Sequence, residues 1–372
     1  MEKLKNNNGI TLIALVITII VLLILAAVSF NVVLGENGVI EKARKANVKT
    51  IEAQSDEEIA LKDYEQYIDE VVSKTTPIEK VVGSADDWEI NGNTIVKYKG
   101  AQFEKIVIPN YVGDVPIKIV GVNGTDIFSG INTLDKELEI SRGIEEIGDN
   151  AFYFDHFGGE LVIPDTVKVI GLHAFSNCDF TGDLVIPASV ETIKSGAFYY
   201  ADGFTGSLTL GRNVKTIESL AFSYTTLSGD LIIPDSVITI GDNAFSSSKF
   251  NGRLKLSNNL TTIGNAAFSS NKFTGSLVIP DSVTSMGMQA FAGQKAFNGT
   301  LTIGKGLTEI KMVAFNNCGF TGELIIPENI TLIDQAVFNN CPFSKIIIKN
   351  SEENITINGT PFSGCVTPVY EP

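Results

Sequence analysis

Residues 161–183 read LVIPDTVKVIGLHAFSNCDFTGD, and residues 184–187 begin again with LVIP. The phenylalanine at the centre of this unit returns as Phe128, Phe152, Phe175, Phe198, Phe222, Phe245, Phe268, Phe291, Phe315, Phe338 and Phe362, always 23 or 24 residues apart. A fixed period of that length marks one supersecondary unit copied and stacked, each copy burying its apolar face only against its neighbours. The spacing therefore predicts a repeat solenoid, and with it an extended binding surface in place of a deep catalytic pocket.

Within each unit the L-x-I element recurs as Leu161/Ile163, Leu184/Ile186, Leu208/Leu210, Leu231/Ile233, Leu254/Leu256, Leu277/Ile279, Leu301/Ile303 and Leu324/Ile326. That alternation turns the two flanking side chains inward and the middle one outward on a short strand. Stacked copies of it are expected to form one long parallel sheet, with V-x-x-I-G-x-x-A-F as the returning segment that parallel pairing requires. Proline closes the strand at Pro164, Pro187, Pro234, Pro280 and Pro327, where its missing N–H ends the ladder. Gly211, Ser257 and Gly304 stand in its place in the other copies, so from Pro187 onward proline alternates with non-proline. Such alternation is the mark of growth by duplication of a two-copy block.

The run P-x-x-V-x-x-I-G-x-x-A-F-x-x-C, as in Pro164 to Cys178, resembles the BspA-like subclass of leucine-rich repeats over about residues 82–365. The resemblance implies a curved, right-handed, β-rich solenoid displayed on a microbial surface and linked to adhesion. The departures are small: Leu227 replaces the second phenylalanine of its unit, Ile346-Ile347-Ile348 follows a one-residue deletion, and most copies lack the cysteine.

The other end of the chain has a different character. Residues 10–34, ITLIALVITIIVLLILAAVSFNVVL, carry no charge, and a helix rising 1.5 Å per residue over such a run is long enough to cross a bilayer. The nine-residue leader ends at Gly9, and Gly9-Ile10-Thr11-Leu12-Ile13 resembles the processing motif of type IV prepilins and pseudopilins. In that family a dedicated peptidase cuts after the glycine and the helix stays as an anchor. The glutamate usual at the fifth mature position is here Ala14, which weakens a main-filament role and leaves a tip subunit or a simple anchored protein. Residues 35–75 are expected to form an amphipathic helix with Leu61, Tyr64, Ile68 and Val71 on one stripe, read as a stalk or as a seam to a partner helix. Residues 76–81 read as a linker, and 82–127 as a cap hairpin, turned at Asn91-Gly92, plus the first repeat. The repeats proper are expected over 128–365, with 366–372 as a tail.

A formal charge of −15 and a pI near 4.7 argue against a nucleic-acid partner, since phosphate backbones need clustered Lys and Arg. Asp165, Asp235 and Asp281 recur, but Ala188, Arg212 and Lys305 occupy the equivalent sites and break any cation ladder, so no metal or cofactor is expected. Cys178, Cys318, Cys341 and Cys365 all lie three residues after the repeat phenylalanine. There cysteine reads as a small buried hydrophobe, with a disulfide between successive turns as the lesser reading. His156 and His173 occupy different positions of the unit and read as surface residues. Motifs for nucleophilic, metal or nucleotide chemistry are absent from the sequence, so a non-enzymatic binding protein is expected.

The candidate contact residues are the outward strand positions Val162, Val185, Thr209, Ile232, Lys255, Val278, Thr302 and Ile325. β-Propensity accounts for such residues as readily as a ligand does, yet a mostly apolar exposed row is also the kind of surface that marks a contact site. Asp183, Asp230, Arg253, Glu323 and Lys345 flank it. The expected function is adhesion to a protein or cell-surface ligand by a single-pass, externally displayed protein. The alternative is a minor pilin-like tip component meeting a prepilin peptidase and pilin-type subunits. Amino-terminal sequencing of the mature protein tests the processing motif: the expected first residue is Ile10, and a start at Met1 or near Ala27 contradicts it.

Overall fold

In the computed structural model the described residues are 77–101, 103–121 and 126–372. Gly9, Ile10, the apolar run 10–34 and the helix expected over 35–75 lie outside them. Among the described residues no helix is long and apolar enough to cross a membrane. The repeats form a β-solenoid of about 12 turns with repeats of about 23 residues.

Its interior is organised by the repeat phenylalanines. From Phe128 to Phe362 their rings form an unbroken column, with neighbouring centroids 5.2–5.6 Å apart from Phe152 onward. Phe245 is fully buried between Phe222 at 5.2 Å and Phe268 at 5.4 Å, the three rings within 6° of parallel. A second column runs through Phe157, Phe180, Phe204, Phe250, Phe273, Phe297, Phe320 and Phe343, and the ring contact lapses only where Leu227 intervenes. At the N-terminal end Trp88–Asn91 and Thr94–Tyr98 pair as an antiparallel hairpin. Trp88 and Tyr98 set their rings 6.4 Å and 5.5 Å from Phe128, closing the column.

The strand assignment needs correcting. The continuous parallel ladder is built by the V-x-x-I segment, which periodicity had read as the returning one. The hairpin, Ile119–Val120, Glu146–Ile147, Val169–Ile170, Thr192–Ile193, Thr216–Ile217, Thr239–Ile240, Thr262–Ile263 and Ser285–Met286 make one ten-stranded sheet. Glu309–Ile310, Leu332–Ile333 and Thr356–Ile357 form a further three-stranded one. The L-x-I strands instead pair in blocks: Lys105–Ile108 with Glu137–Ile140, Leu184–Val185 with Leu208–Thr209, Leu231–Ile232 with Leu254–Lys255, Leu277–Val278 with Leu301–Thr302, and Glu323–Ile326 with Lys345–Ile348.

Proline explains the blocks. In a parallel pair the residue closing the later strand offers its N–H to the strand before it. Every paired partner closes with a residue that has one: Ser141, Gly211, Ser257, Gly304, Lys349 or, after Val369–Tyr370, Glu371. Ser141 and Lys349 donate to the carbonyls of Ile108 at 3.1 Å and Ile326 at 2.9 Å. Every copy that does not pair backwards closes with Pro109, Pro164, Pro187, Pro234, Pro280 or Pro327, where no such donor exists. A second alternation accompanies the first. Gly182, Gly229, Gly275 and Gly322, ahead of the proline copies, have φ of 77–81°. Asp183 and Asp230 then turn their carboxylates onto the N–H groups of Ser207 and Arg253 in the next turn. At Gly206 a Cβ would come 2.3 Å from that Asp183 carboxylate and 2.9 Å from the backbone of Gly182 and Asp183, so a side chain there would force the preceding turn to shift.

From Phe152 to Phe338 the backbone N–H of the repeat phenylalanine is satisfied by the following turn, and in most turns so is its carbonyl. The N–H of Phe175 donates to the Ala197 carbonyl at 2.7 Å and that of Phe245 to Ala267 at 2.8 Å. Except at Ala201, which has no side-chain donor, and Thr225, whose Oγ1 serves Phe222 of its own turn, from Cys178 onward the carbonyl is met by the side chain three residues after the next phenylalanine. Cys178 Sγ donates to Phe152 at 2.9 Å, Cys318 to Phe291 at 3.1 Å, Cys341 to Phe315 at 3.0 Å and Cys365 to Phe338 at 2.9 Å. Ser248 Oγ and Asn271 Nδ2 do the same for Phe222 and Phe245 at 2.7 and 2.8 Å, and Gln294 Nε2 for Phe268. All four cysteines are free thiols, so the disulfide reading is not realised. Burial holds the Cys178 and Cys318 thiols well above their ordinary range, which keeps them protonated as donors.

Asp155 occupies the same column position. Burial, and then the neighbouring Asp126 carboxylate, push it up to about 8, against the hydrogen bond from Thr133 Oγ1 at 3.2 Å, which lowers it. Burial also raises Asp126. Asp155 is thus a protonated acid at neutral pH, in a column otherwise rich in thiols, hydroxyls and amides.

Two predictions follow from this core. Phe245→Ala is expected to cost ~3–5 kcal/mol in urea unfolding through lost burial and a cavity. Phe362→Ala should cost less, because Phe362 is half-buried and stacks on one side only. Equal losses would contradict the stacked column. For Asp155 the folded value of about 8 lies above the ordinary 3.8. Its stabilising contribution is therefore complete below the lower value and is lost as pH rises towards the upper one. Asp155→Asn, an amide like Asn271, should be more stable than the parent at about pH 8 and lose less of its urea midpoint between about pH 5 and 8. A parent and variant with the same pH slope would contradict the assignment.

Candidate binding surface

The outward strand residues lie where the L-x-I alternation places them. Leu184, Ile186, Leu277 and Ile279 are buried, whereas Val162 is 68% exposed, Val185 51%, Val278 56% and Ile325 47%. Thr302 is also exposed, and Thr209, Ile232 and Lys255 are half-buried. The row is not one ladder, since the strands carrying it pair only within their blocks. Successive blocks nevertheless stack in register, so the outward positions follow one another from turn to turn. At the C-terminal end the row stops: Ile347, paired with Ile325 and Val369, is 4% exposed.

At its other end the row opens into a groove of about 1010 Å³, lined among others by Lys105, Glu139, Arg142, Glu160 and Val162. Lys105 and Glu139 pair across it at 2.9 Å, and Arg142 reaches Asp165 at 2.6 Å. The groove thus joins an exposed valine to a rim of both signs. Of the flanking residues expected to add selectivity, Asp183 and Asp230 are committed to the next turn, and Lys345 meets Glu371 at 3.2 Å.

A second groove of about 480 Å³ lies over the residues preceding the V-x-x-I ladder. Lys118, Glu145, Lys168, Glu191 and Lys215 alternate in sign along it, with Lys118–Glu145 at 3.0 Å, Lys168–Glu145 at 2.7 Å and Lys215–Glu191 at 2.5 Å. Lys168 and Lys118 hold the Glu145 carboxyl below its usual range, and Lys215 does so for Glu191. The members of this column pair with one another.

The recurring aspartates serve separate structural ends. Asp165 meets Arg142, Asp235 accepts from the Asn258 N–H at 2.8 Å, and Asp281 from the Lys305 N–H at 2.8 Å. Among the described residues no group of three His, Cys, Asp or Glu is placed to hold a metal ion. His156 Nδ1 lies 2.7 Å from Asp179 Oδ2 in a half-exposed pair. His173 sits between Tyr153 and Tyr199 at 6.0 and 6.3 Å.

Of the four residues after each phenylalanine, the sequence marks only the third, through its cysteines. The second adopts a left-handed backbone, with φ of 58° at Asn177, 55° at Tyr200, 60° at Tyr224 and 58° at Ser247. The third points inward and the fourth is again at the surface. These positions were visible as columns once the copies were aligned, but they vary too much in residue type to register as a motif.

The profile of the BspA type leucine rich repeat region matches in overlapping stretches, residues 124–251, 183–298 and 252–367. Among solved structures, the chain is similar to a leucine rich cell surface protein from Faecalibacterium prausnitzii A2-165, at 23% identity over 79% of this chain and 93% of that one, with a TM-score of 0.38. It is also similar to a leucine-rich repeat protein from Bacteroides ovatus ATCC 8483, at 18% identity over 77% and 85%, with a TM-score of 0.45. Comparison with curated proteins finds no match. With its matched stretches spanning most of the chain and every turn built around the same stacked phenylalanine, this protein belongs to the BspA-type leucine-rich-repeat family.

Proposed function

We propose that this chain is a surface-displayed adhesion protein that binds a protein or cell-surface ligand through the outward row Val162, Val185, Thr209, Ile232, Lys255, Val278, Thr302 and Ile325. The observation that carries the reading is the exposure of apolar side chains in that row, 68% at Val162 and 56% at Val278. These residues add little to the core, and an apolar row of this extent on a rigid scaffold is suited to contact. A solenoid offers length and curvature in place of a deep cavity, which fits a macromolecular ligand better than a small molecule. Family membership agrees with a binding role. The apolar run 10–34 would hold the protein in the membrane with the repeats outside, after cleavage of a prepilin-like leader between Gly9 and Ile10.

Charge substitution on the row tests the reading. Ile232 and Val278 lie two turns apart, about 10 Å at a strand spacing of ~4.8 Å, and so sample one footprint. With a partner recovered by cross-linking on intact cells carrying the full chain, Ile232→Glu and Val278→Glu should each weaken attachment about tenfold or more, with little change in urea midpoint. Unchanged attachment by both, with loss on altering the loops Phe204-Thr205-Gly206 and Phe273-Thr274-Gly275, would place the contact elsewhere.

A further inference from the structure

The two columns flanking the inward residue after each phenylalanine change character along the solenoid. In the second position stand Phe154, Asn177, Tyr200 and Tyr224, and beyond them Ser247 and Ser270. These stack turn on turn, the Tyr224 N–H donating to the Ser246 carbonyl at 3.0 Å and the Ser247 N–H to Ser269 at 3.0 Å. A left-handed backbone suits asparagine and is unfavourable for a bulky side chain, so aromatic residues here are not what the turn itself selects. Tyr200 and Tyr224 are 41% and 43% exposed and stack at 4.5 Å with planes 2° apart. One face of Tyr224 is thus covered. Its other face looks along the column towards Ser247, a side chain too small to cover it.

In the fourth position the same turns carry Lys249, Lys272 and Lys295, all exposed. Among the described residues none of the three has an ion-pair partner. Successive turns bring like charges to within about a strand spacing of ~4.8 Å, well inside a Debye length of ~8 Å at physiological salt. Three unpaired lysines in a column repel one another, and the chain carries a net charge of −15 from which partners could have been drawn. On the other side of Tyr224 the column turns acidic, with Asp202 and the His156–Asp179 pair.

We infer that Tyr224, Ser247, Ser270, Lys249, Lys272 and Lys295 form a second binding site, separate from the outward strand row, for an acidic polysaccharide bearing one carboxylate per sugar ring. The open face of Tyr224 receives the apolar C–H face of a terminal sugar. The serine hydroxyls line the floor and exchange hydrogen bonds with ring hydroxyls. The lysines, one per turn, meet carboxylates along the extended chain, each ammonium reaching whichever ring turns its carboxylate towards it. A flexible ammonium on a four-carbon stem suits such a series of point contacts. Asp202 repels the polyanion beyond Tyr224 and so fixes where the chain end lies.

Oligogalacturonate titrated into the full-length chain tests the site, with uncharged dextran oligosaccharides of similar length as the neutral control. The expected result is saturable oligogalacturonate binding that weakens with added salt and exceeds dextran binding. The triple variant Lys249→Gln, Lys272→Gln, Lys295→Gln should lose about tenfold or more in affinity. Tyr224→Ala should lose several-fold and Tyr224→Phe little. Urea midpoints of the variants check folding, and Ile232→Glu with Val278→Glu should leave oligogalacturonate binding unchanged, which separates this site from the row. No binding by the parent, equal affinity for dextran, or retention of binding by the folded triple variant would each overturn the assignment.

Discussion

The structure depends on how one peptide unit, that of the repeat phenylalanine, is satisfied by the turn that follows. Burying a ring in every turn drags its backbone N–H and carbonyl out of water, and each unpaired buried polar group would be costly. From Phe152 to Phe338 the N–H finds the carbonyl just before the next phenylalanine, as Phe245 finds Ala267, and in seven turns the carbonyl finds a donor side chain three residues beyond that phenylalanine. The ring column and the hydrogen-bond column are therefore one device. A turn removed from its successor exposes an aromatic face and strands two polar groups together, which couples each copy to its neighbour and to nothing more distant.

That device accounts for the tolerance at the cysteine position. Cys178, Ser248, Asn271 and Gln294 differ in size and polarity but share the ability to donate to a phenylalanine carbonyl. Asp155, kept protonated near neutrality by burial beside Asp126, stands outside this set: it accepts from Thr133 Oγ1, and the Phe128 carbonyl is met by the Ile131 N–H at 2.7 Å. The cysteine of this family position is thus one solution to a backbone requirement, and the thiol's redox chemistry is not what the fold uses.

The sequence made the solenoid, the ring column and the inward–outward alternation legible, because each rests on a single strong periodicity carried by Phe, Leu and Ile. It did not identify which segment carries the continuous ladder. A two-residue strand such as Thr216–Ile217 is too short for periodicity to distinguish from a turn, while L-x-I-P looks more strand-like than it behaves. The alternation of Pro187, Pro234, Pro280 and Pro327 with Gly211, Ser257 and Gly304 was visible, yet it read as a trace of duplication. Its physical meaning, one N–H present or missing, emerges only when the strand partners are known. The candidate row was legible for the same reason as the core, since the residue between two buried ones must face out. The groove beside Val162 was not, because residues far apart in the chain converge on it.

Because the fold is fixed by inward positions repeated at every turn, the outward columns are free to vary independently of stability. Each column is read along the solenoid axis, so a change of residue type partway along it, as from Tyr224 to Ser247 or from Asp202 to Lys249, creates a boundary on the surface at no cost to the interior. The strand row keeps mainly β-branched residues throughout, the column before the V-x-x-I ladder alternates lysine and glutamate until it turns to Ile238 and Thr261, and the edge after the phenylalanine passes from aromatic to cationic. Conservative interior copying with divergent exterior columns gives a single rigid body several chemically distinct strips, each one turn-spacing in pitch. Recognition by such a body favours ligands that are themselves extended, since only an extended partner can engage successive turns of one strip at once.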